Sequence, residues 1–161
     1  MFVGESNAKK SLRLMLVRKY LIRCQIKLIM SIYKDLDGRY MLLDYSPSHS
    51  ELLLRKRIQS SNIDILFKSV RKIFLPTLLM GIEISILTGE KESMSIIDQF
   101  GFTSTGGYNV FEIKTVNNEY HYINAGVFGV FANELDILET SLGDFAWSSN
   151  NHLLLWSNDF H

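Results

Sequence analysis

Apolar and polar residues fall into short groups along the chain, and their spacing predicts the elements. In residues 9–34, at about 100° per residue, Lys9, Arg13, Lys19, Arg23, Lys27 and Lys34 share one arc, with Arg18 opposite. Leu, Ile, Met, Val and Tyr make up the remaining face. This reads as a basic amphipathic helix or arm. Beyond Met30 the pattern shortens. Residues 32–36 and 39–45 flank Asp37-Gly38, a two-residue hairpin signal, because both positions tolerate positive φ. Ser46-Pro47-Ser48-His49 breaks the run. After it, residues 50–58 fit either a helix opened by a Ser48/Glu51 capping box or a strand over 51–57. Residues 62–75 divide in the same way. Ile63, Leu66, Phe67, Val70 and Phe74 follow a helical period, while the β-branched and aromatic content fits a strand pair.

The rest of the chain gives clearer signals. Residues 82–87, bounded by Gly81 and Thr88-Gly89, predict a strand. Residues 90–100 predict a helix capped by Thr88, with Met94, Ile97 and Phe100 on its apolar stripe, Gly101 at C′ and Phe102 as the following contact. Residues 108–116 and 120–131 predict a hairpin whose second strand is interrupted at Gly126 and Gly129, the mark of a bulge or a close backbone approach. Asn133 then caps a second helix to about Leu142, with Leu135, Leu138 and Leu142 inward and Gly143 as its stop. Residues 145–147 and 152–156 predict a final hairpin. No repeat or long linker divides the chain. The expected fold is α+β: a single small domain over residues 31–161, mostly antiparallel sheet with two or three helices, preceded by the basic amphipathic helix or extension of residues 1–30.

Charge alters this picture more than composition does. The 161 residues carry 17 basic and 17 acidic side chains, so the formal net charge is zero. Residues 1–72 hold 15 basic and 6 acidic groups, and residues 73–161 hold 2 basic and 11 acidic ones. The neutrality is therefore a cancellation between two halves. Seven of the basic residues lie in 1–29; residues 31–161 alone carry 10 basic and 16 acidic groups and are acidic. Three readings of the arm stand open: a helix packed on the domain, a helix lying on an anionic membrane surface through residues 9–30, or an extension ahead of the true start. Arg18, Lys19, Arg23 and Lys27 break its apolar run well short of the ~20 residues of a spanning helix. No signal-peptide pattern is present. The single cysteine, Cys24, rules out an internal disulfide framework, so an ordinary cytoplasmic protein is the expectation.

Candidate chemistry is sparse. His49 and Glu51 sit in a turn with Ser46, Ser48 and Ser50, near Asp44, which are the residue types of acid–base or nucleophilic catalysis. Turns also collect such residues for backbone reasons. The four histidines show no metal-ligand spacing, and no catalytic residue, metal site or cofactor is assigned. The Gly-rich stretch Thr103-Ser104-Thr105-Gly106-Gly107 lacks the Lys-Ser/Thr of a phosphate loop and enters a strand. Arg55-Lys56-Arg57 with Lys68, Arg71 and Lys72 could meet phosphates. They read rather as solvated faces, because no nucleic-acid motif accompanies them and the acidic half would repel a duplex. The carboxylates form a more coherent set. Glu134, Asp136, Glu139 and Asp144 cluster near Trp147 and Trp156, and aromatics rimmed by carboxylates make interface anchors for a basic protein partner.

Residues 37–55 (Asp37-Gly38-Arg39-Tyr40 through Leu54-Arg55), with Asn62-Ile63-Asp64-Ile65-Leu66-Phe67 and Leu75-Pro76-Thr77, resemble small orphan bacterial proteins. In general style they are similar to immunity proteins encoded beside polymorphic or contact-dependent toxins. That resemblance covers roughly residues 31–80 and carries no functional residue across. It implies a solitary acidic α+β or β-rich domain that binds and blocks one toxin domain. The expected function is accordingly a non-enzymatic, partner-binding protein of immunity type that neutralises a basic toxin through the surface of Glu134, Asp136, Glu139, Asp144, Trp147 and Trp156. The alternatives are a small enzyme or ligand-binding domain using the His49/Glu51 turn, and a peripheral membrane protein held by residues 9–30.

Overall fold

The computed structural model describes residues 31–87, 91–142 and 152–157, with the backbone alone for 91–93. The arm of residues 1–30 lies outside the described residues. Among the described residues nine strands occur in chain order: β1 (Ser31–Ser46), β2 (Glu51–Ile58), β3 (Ser61–Lys68), β4 (Lys72–Phe74), β5 (Leu78–Ile86), β6 (Asn109–Thr115), β7 (Tyr120–Ala125), β8 (Val127–Asn133) and β9 (His152–Trp156). One helix, α1 (Lys91–Phe100), is present among the described residues. All pairings are antiparallel, and the strands form a single sheet in the order β4-β7-β6-β5-β1-β2-β3-β8-β9. The expectation of an α+β domain with two or three helices is therefore corrected to a nearly all-β domain with one short helix.

Chain connectivity forces this sheet to roll. β3 and β4 stand six places apart in the order, about 29 Å in a flat sheet at ~4.8 Å per strand. Only Ser69, Val70 and Arg71 join them, about 14 Å of fully extended chain. β7 and β8, also six places apart, are separated by Gly126 alone. The β3–β4 and β7–β8 segments accordingly run side by side as one bent ribbon, tied at the bend by Gly126 N–H to Lys68 O (2.9 Å) and Arg71 N–H to Asn124 O (2.8 Å). Rings from distant strands meet inside the roll. Phe111 of β6 lies 5.6 Å from Phe67 of β3 and 5.2 Å from Phe128 of β8, centroid to centroid. Leu52, Leu54, Ile65, Ile84, Ile113 and Val130 complete this core with no exposed surface.

Two local expectations change, and one open choice is decided. Asp37-Gly38 makes no hairpin; β1 runs straight through it. Asp35 pairs with Ile82 and Arg39 with Met80, so residues 36–38 bulge opposite Gly81 alone. Gly81 has φ 56, and a Cβ there would sit 2.4 Å from the Leu36 carbonyl oxygen, so the bulge needs glycine on the facing strand. Residues 51–74 hold the three strands β2, β3 and β4 and no helix. β2 and β3 carry buried side chains on both faces, because Leu53, Leu66 and Phe131 form a second small core outside the roll, and this masks the alternation that marks a strand. The predicted helix over 133–142 is absent; the chain there forms irregular turns.

The 90–100 expectation agrees with α1. Gly101 follows at φ 60, and Gly101 N–H to Asp98 O (3.2 Å) with Phe102 N–H to Ile97 O (2.8 Å) form a Schellman closure. Lys72 Nζ bonds the terminal carbonyls of Phe100 (3.2 Å) and Gly101 (2.7 Å), and Phe74, Phe100, Phe102 and Tyr122 stack the helix against β4 and β7. At the other end of the sheet Trp156 of β9 lies over Gly129 of β8. A Cβ on Gly129 would fall 2.7 Å from the indole and 2.8 Å from the Phe131 ring. Gly129→Ala should therefore cost about 1–3 kcal/mol by overpacking. Urea denaturation checks this, and an unchanged midpoint would mean that the indole does not occupy that seat.

Candidate functional site

The outer face of β2, β3 and β8 divides into an apolar half and a polar half. Strand alternation places Leu53 and Arg55 on one side of β2, Asp64 and Leu66 on the same side of β3, and Phe131 and Asn133 on that side of β8. Arg55 and Asp64 are directly opposite in register and have no exposed surface. Their contact is bidentate: Nε to Oδ1 at 2.7 Å and Nη2 to Oδ2 at 2.8 Å. A buried ion pair costs several kcal/mol of desolvation per ion, so the remaining donors and lone pairs need partners. Asn133 Nδ2 and Ser141 Oγ each donate to Asp64 Oδ2 at 2.7 Å. Arg55 Nη1 donates to the carbonyls of Asp136 (3.0 Å) and Glu139 (2.6 Å), with Ile137 O at 3.4 Å. Beside them Asn62 Nδ2 donates to Asn133 Oδ1 and to Leu135 O, both at 2.8 Å, and Arg57 Nη1 donates to Leu135 O at 3.0 Å.

These bonds account for the missing helix. In a helix the carbonyls of 136–139 would accept N–H groups four residues on. Here a buried guanidinium takes them, and Asn133, expected as a helix cap, is drawn into the same network. The segment of residues 134–142 is instead held as a frame over the sheet, with Leu142 packed on the outer core. Glu134, Asp136 and Glu139 are exposed on it and line an open cleft of about 640 Å³ together with Ser61, Leu135 and His152. Glu139 Oε2 accepts the Asp136 N–H at 3.3 Å. Trp156 is half-buried against the outer core rather than standing among these carboxylates. Asp144 and Trp147 lie outside the described residues. No three His, Cys, Asp or Glu side chains converge on a metal-binding point among the described residues.

The basic side chains of residues 31–72 are mostly engaged within the fold. Lys34 pairs with Glu83 (3.4 Å), Lys56 with Asp35 (2.6 Å) and Lys68 with Glu51 (3.0 Å), while Lys72 closes α1. Arg55 and Arg57, solvated by the pattern of the sequence, are in the structure the organisers of the acidic segment. A two-residue turn at 59–60 sets Arg55 opposite Asp64, and an Asp inside the apolar run 63–67 was the signal for it.

The two halves of the His49/Glu51 proposal separate. His49 stands exposed in the β1–β2 turn with Nδ1 3.0 Å from Ser46 Oγ, whereas Glu51 turns into the sheet toward Lys68. A second polar chain, not anticipated, fixes the β1 bulge. Tyr33 and Tyr40 hydroxyls are 2.8 Å apart, and Tyr40 donates to Asp35 Oδ2 at 2.8 Å. Burial raises the Asp35 carboxyl, but hydrogen bonds from Lys56 and Tyr40 and the Lys56 charge outweigh it and hold the group below its usual range. Burial, then the bond to Tyr33 and the Asp35 charge, push the Tyr40 phenol far above its ordinary range.

Comparison of the chain with family models, curated proteins and solved structures finds no match. No helix among the described residues is long and apolar enough to cross a membrane.

Two outcomes follow from these networks. Arg55→Ala should cost about 3–5 kcal/mol by stranding Asp64, while Arg55→Met with Asp64→Leu should recover most of that loss in denaturant melts. A single-variant cost below about 1 kcal/mol would contradict the buried pair. The raised Tyr40 phenol contributes stability that is complete below about pH 10, where the unfolded phenol titrates, and is lost as pH rises further. Stability measured from pH 9 to 12 should therefore fall less steeply in Tyr40→Phe than in the wild type; equal slopes would contradict it.

Proposed function

We propose that the chain is a non-enzymatic, partner-binding protein of immunity type, and that the frame of residues 134–139 is its docking surface for a basic protein. One observation carries this reading. Glu134, Asp136 and Glu139 are exposed on a backbone pinned from beneath by Arg55, Arg57 and Asn62. Carboxylates on a fixed frame lose little conformational freedom on binding, so more of their attraction appears as association rate and affinity. Leu138, 81% exposed, stands among them as an apolar tip suited to a pocket on the partner. Among the described residues, Lys34, Lys56, Lys68 and Arg55 are already paired with Glu83, Asp35, Glu51 and Asp64, which leaves them less charge with which to blunt this field.

The test uses affinity capture from the native host, identification of any stoichiometric partner, and kinetics on the purified pair. Glu134→Lys, Asp136→Lys and Glu139→Lys together should slow association at low salt by about tenfold or more, and rising salt should slow the wild type toward the variant. Recovery of no stoichiometric partner, or association indifferent to the reversal, would overturn the reading.

A further inference from the structure

Two motifs set apart in the sequence, the Gly-rich stretch 103–107 and Arg71, meet in the fold, and a buried residue joins them. Asn124 of β7 is 1% exposed. Its side chain clamps both ends of the Gly-rich loop: Oδ1 accepts the Thr103 N–H (3.2 Å), and Nδ2 donates to the carbonyls of Thr103 (2.7 Å) and Asn109 (2.9 Å). Its own carbonyl accepts the Arg71 N–H at 2.8 Å. The loop and the arginine are thus placed by the same residue at the bend of the sheet. The Arg71 guanidinium carbon then sits 4.0 Å from the centroid of the Tyr108 ring, a stacking that orients the planar fork.

Sharing Tyr108 with this stack is a cleft of about 530 Å³, lined also by Ser69, Ser104, Asn109 and Val127 with Gly107 and Gly126; Arg71 does not line it and adjoins it through the Tyr108 ring. The Asn109 amide is committed, donating to Gly126 O at 3.1 Å. The hydroxyls of Ser69, Ser104 and Tyr108 have no hydrogen-bond partner among the described residues, and no described carboxylate lies within ion-pairing distance of Arg71. Lys68 and Lys72, its neighbours in sequence, are engaged by Glu51 and by the end of α1. Arg71 therefore differs from the other cations of this ribbon: it is oriented, and no carboxylate among the described residues matches its charge.

We infer that this cleft is an anion site for a phosphomonoester or free phosphate, with Arg71 as the charged contact and the Ser69, Ser104 and Tyr108 hydroxyls as donors around it. A guanidinium fork and three hydroxyls offer more donors than a planar carboxylate accepts, whereas a tetrahedral phosphate takes them from several directions. Asn124 is a positioning residue here, acting through the loop and the Arg71 backbone. The site lies apart from the 134–139 surface and does not depend on its role.

The test is a two-dimensional amide NMR titration of the full chain at constant ionic strength, with inorganic phosphate, ribose 5-phosphate and ribose as separate probes. Saturable shifts centred on Ser69, Ser104, Gly106, Gly107 and Asn109 are expected with both phosphates and not with ribose. Equal affinity for the two phosphates assigns the site to free phosphate, and tighter binding of the ester assigns it to a phosphomonoester. Arg71→Ala should weaken binding by about tenfold or more, with Arg71→Lys intermediate. Both exchange an exposed side chain and leave the rest of the amide spectrum as the control for folding. Shifts that fail to saturate, that spread across the other lysines and arginines, or that persist in Arg71→Ala would overturn the inference.

Discussion

A guanidinium and a carboxylate with no solvent exposure must find all their partners within the protein. That requirement, set by Arg55 and Asp64, governs much of what surrounds them. Two ions withdrawn from water cost several kcal/mol each unless their remaining donors and lone pairs are met. β2 and β3 supply the pair, β8 supplies Asn133, and the chain beyond β8 supplies Ser141 and the carbonyls of Asp136 and Glu139. The path of residues 134–142 is thus fixed by hydrogen bonding from below. A helix on the same residues would have turned those carbonyls inward to its own N–H groups and left Arg55 without them.

This constraint links the fold to the surface charge. The basic first half and acidic second half of the chain are interleaved in the sheet rather than kept apart. β1 lies against β5, joining Lys34 to Glu83, and β3 lies against β8, bringing Asp64 to Asn133 and the acidic segment that follows. Among the described residues, six of the eight cations of 31–72 meet carboxylates or carbonyls of the fold, and Glu134, Asp136 and Glu139 remain exposed. The formal neutrality of the whole chain therefore says little about what a partner would encounter at the 134–139 frame.

Elements defined by local chemistry were legible in the sequence. α1 and its Gly101 closure followed from an apolar stripe, a glycine stop and the phenylalanine after it, all within about fifteen residues. The interruptions at Gly126 and Gly129 were legible as breaks; their causes, a sheet bend and the Trp156 indole, were not. The misreadings share one origin, a tertiary partner that outweighed a local preference. Asp37-Gly38 bends into a bulge because β1 is long enough to pair with β2 and β5 at once. Leu135, Leu138 and Leu142 keep helical spacing, yet Arg55 takes the backbone that a helix would need. β2 and β3 were not misread but left open between helix and strand, because the outer face of the sheet is itself a core and masks their alternation. Of the candidate site, the carboxylates were legible as a cluster, but the buried cation beneath them was read as a solvated one.

Backbone dynamics of residues 134–142 bear most directly on the central claim that a buried ion pair holds this segment as a rigid frame. Amide order parameters near ~0.85 across residues 135–141 in the wild type, falling below about 0.6 in Arg55→Met/Asp64→Leu while the sheet stays ordered, are the result the account predicts. Order parameters already below about 0.6 in the wild type, or unchanged when the pair is replaced, would contradict it.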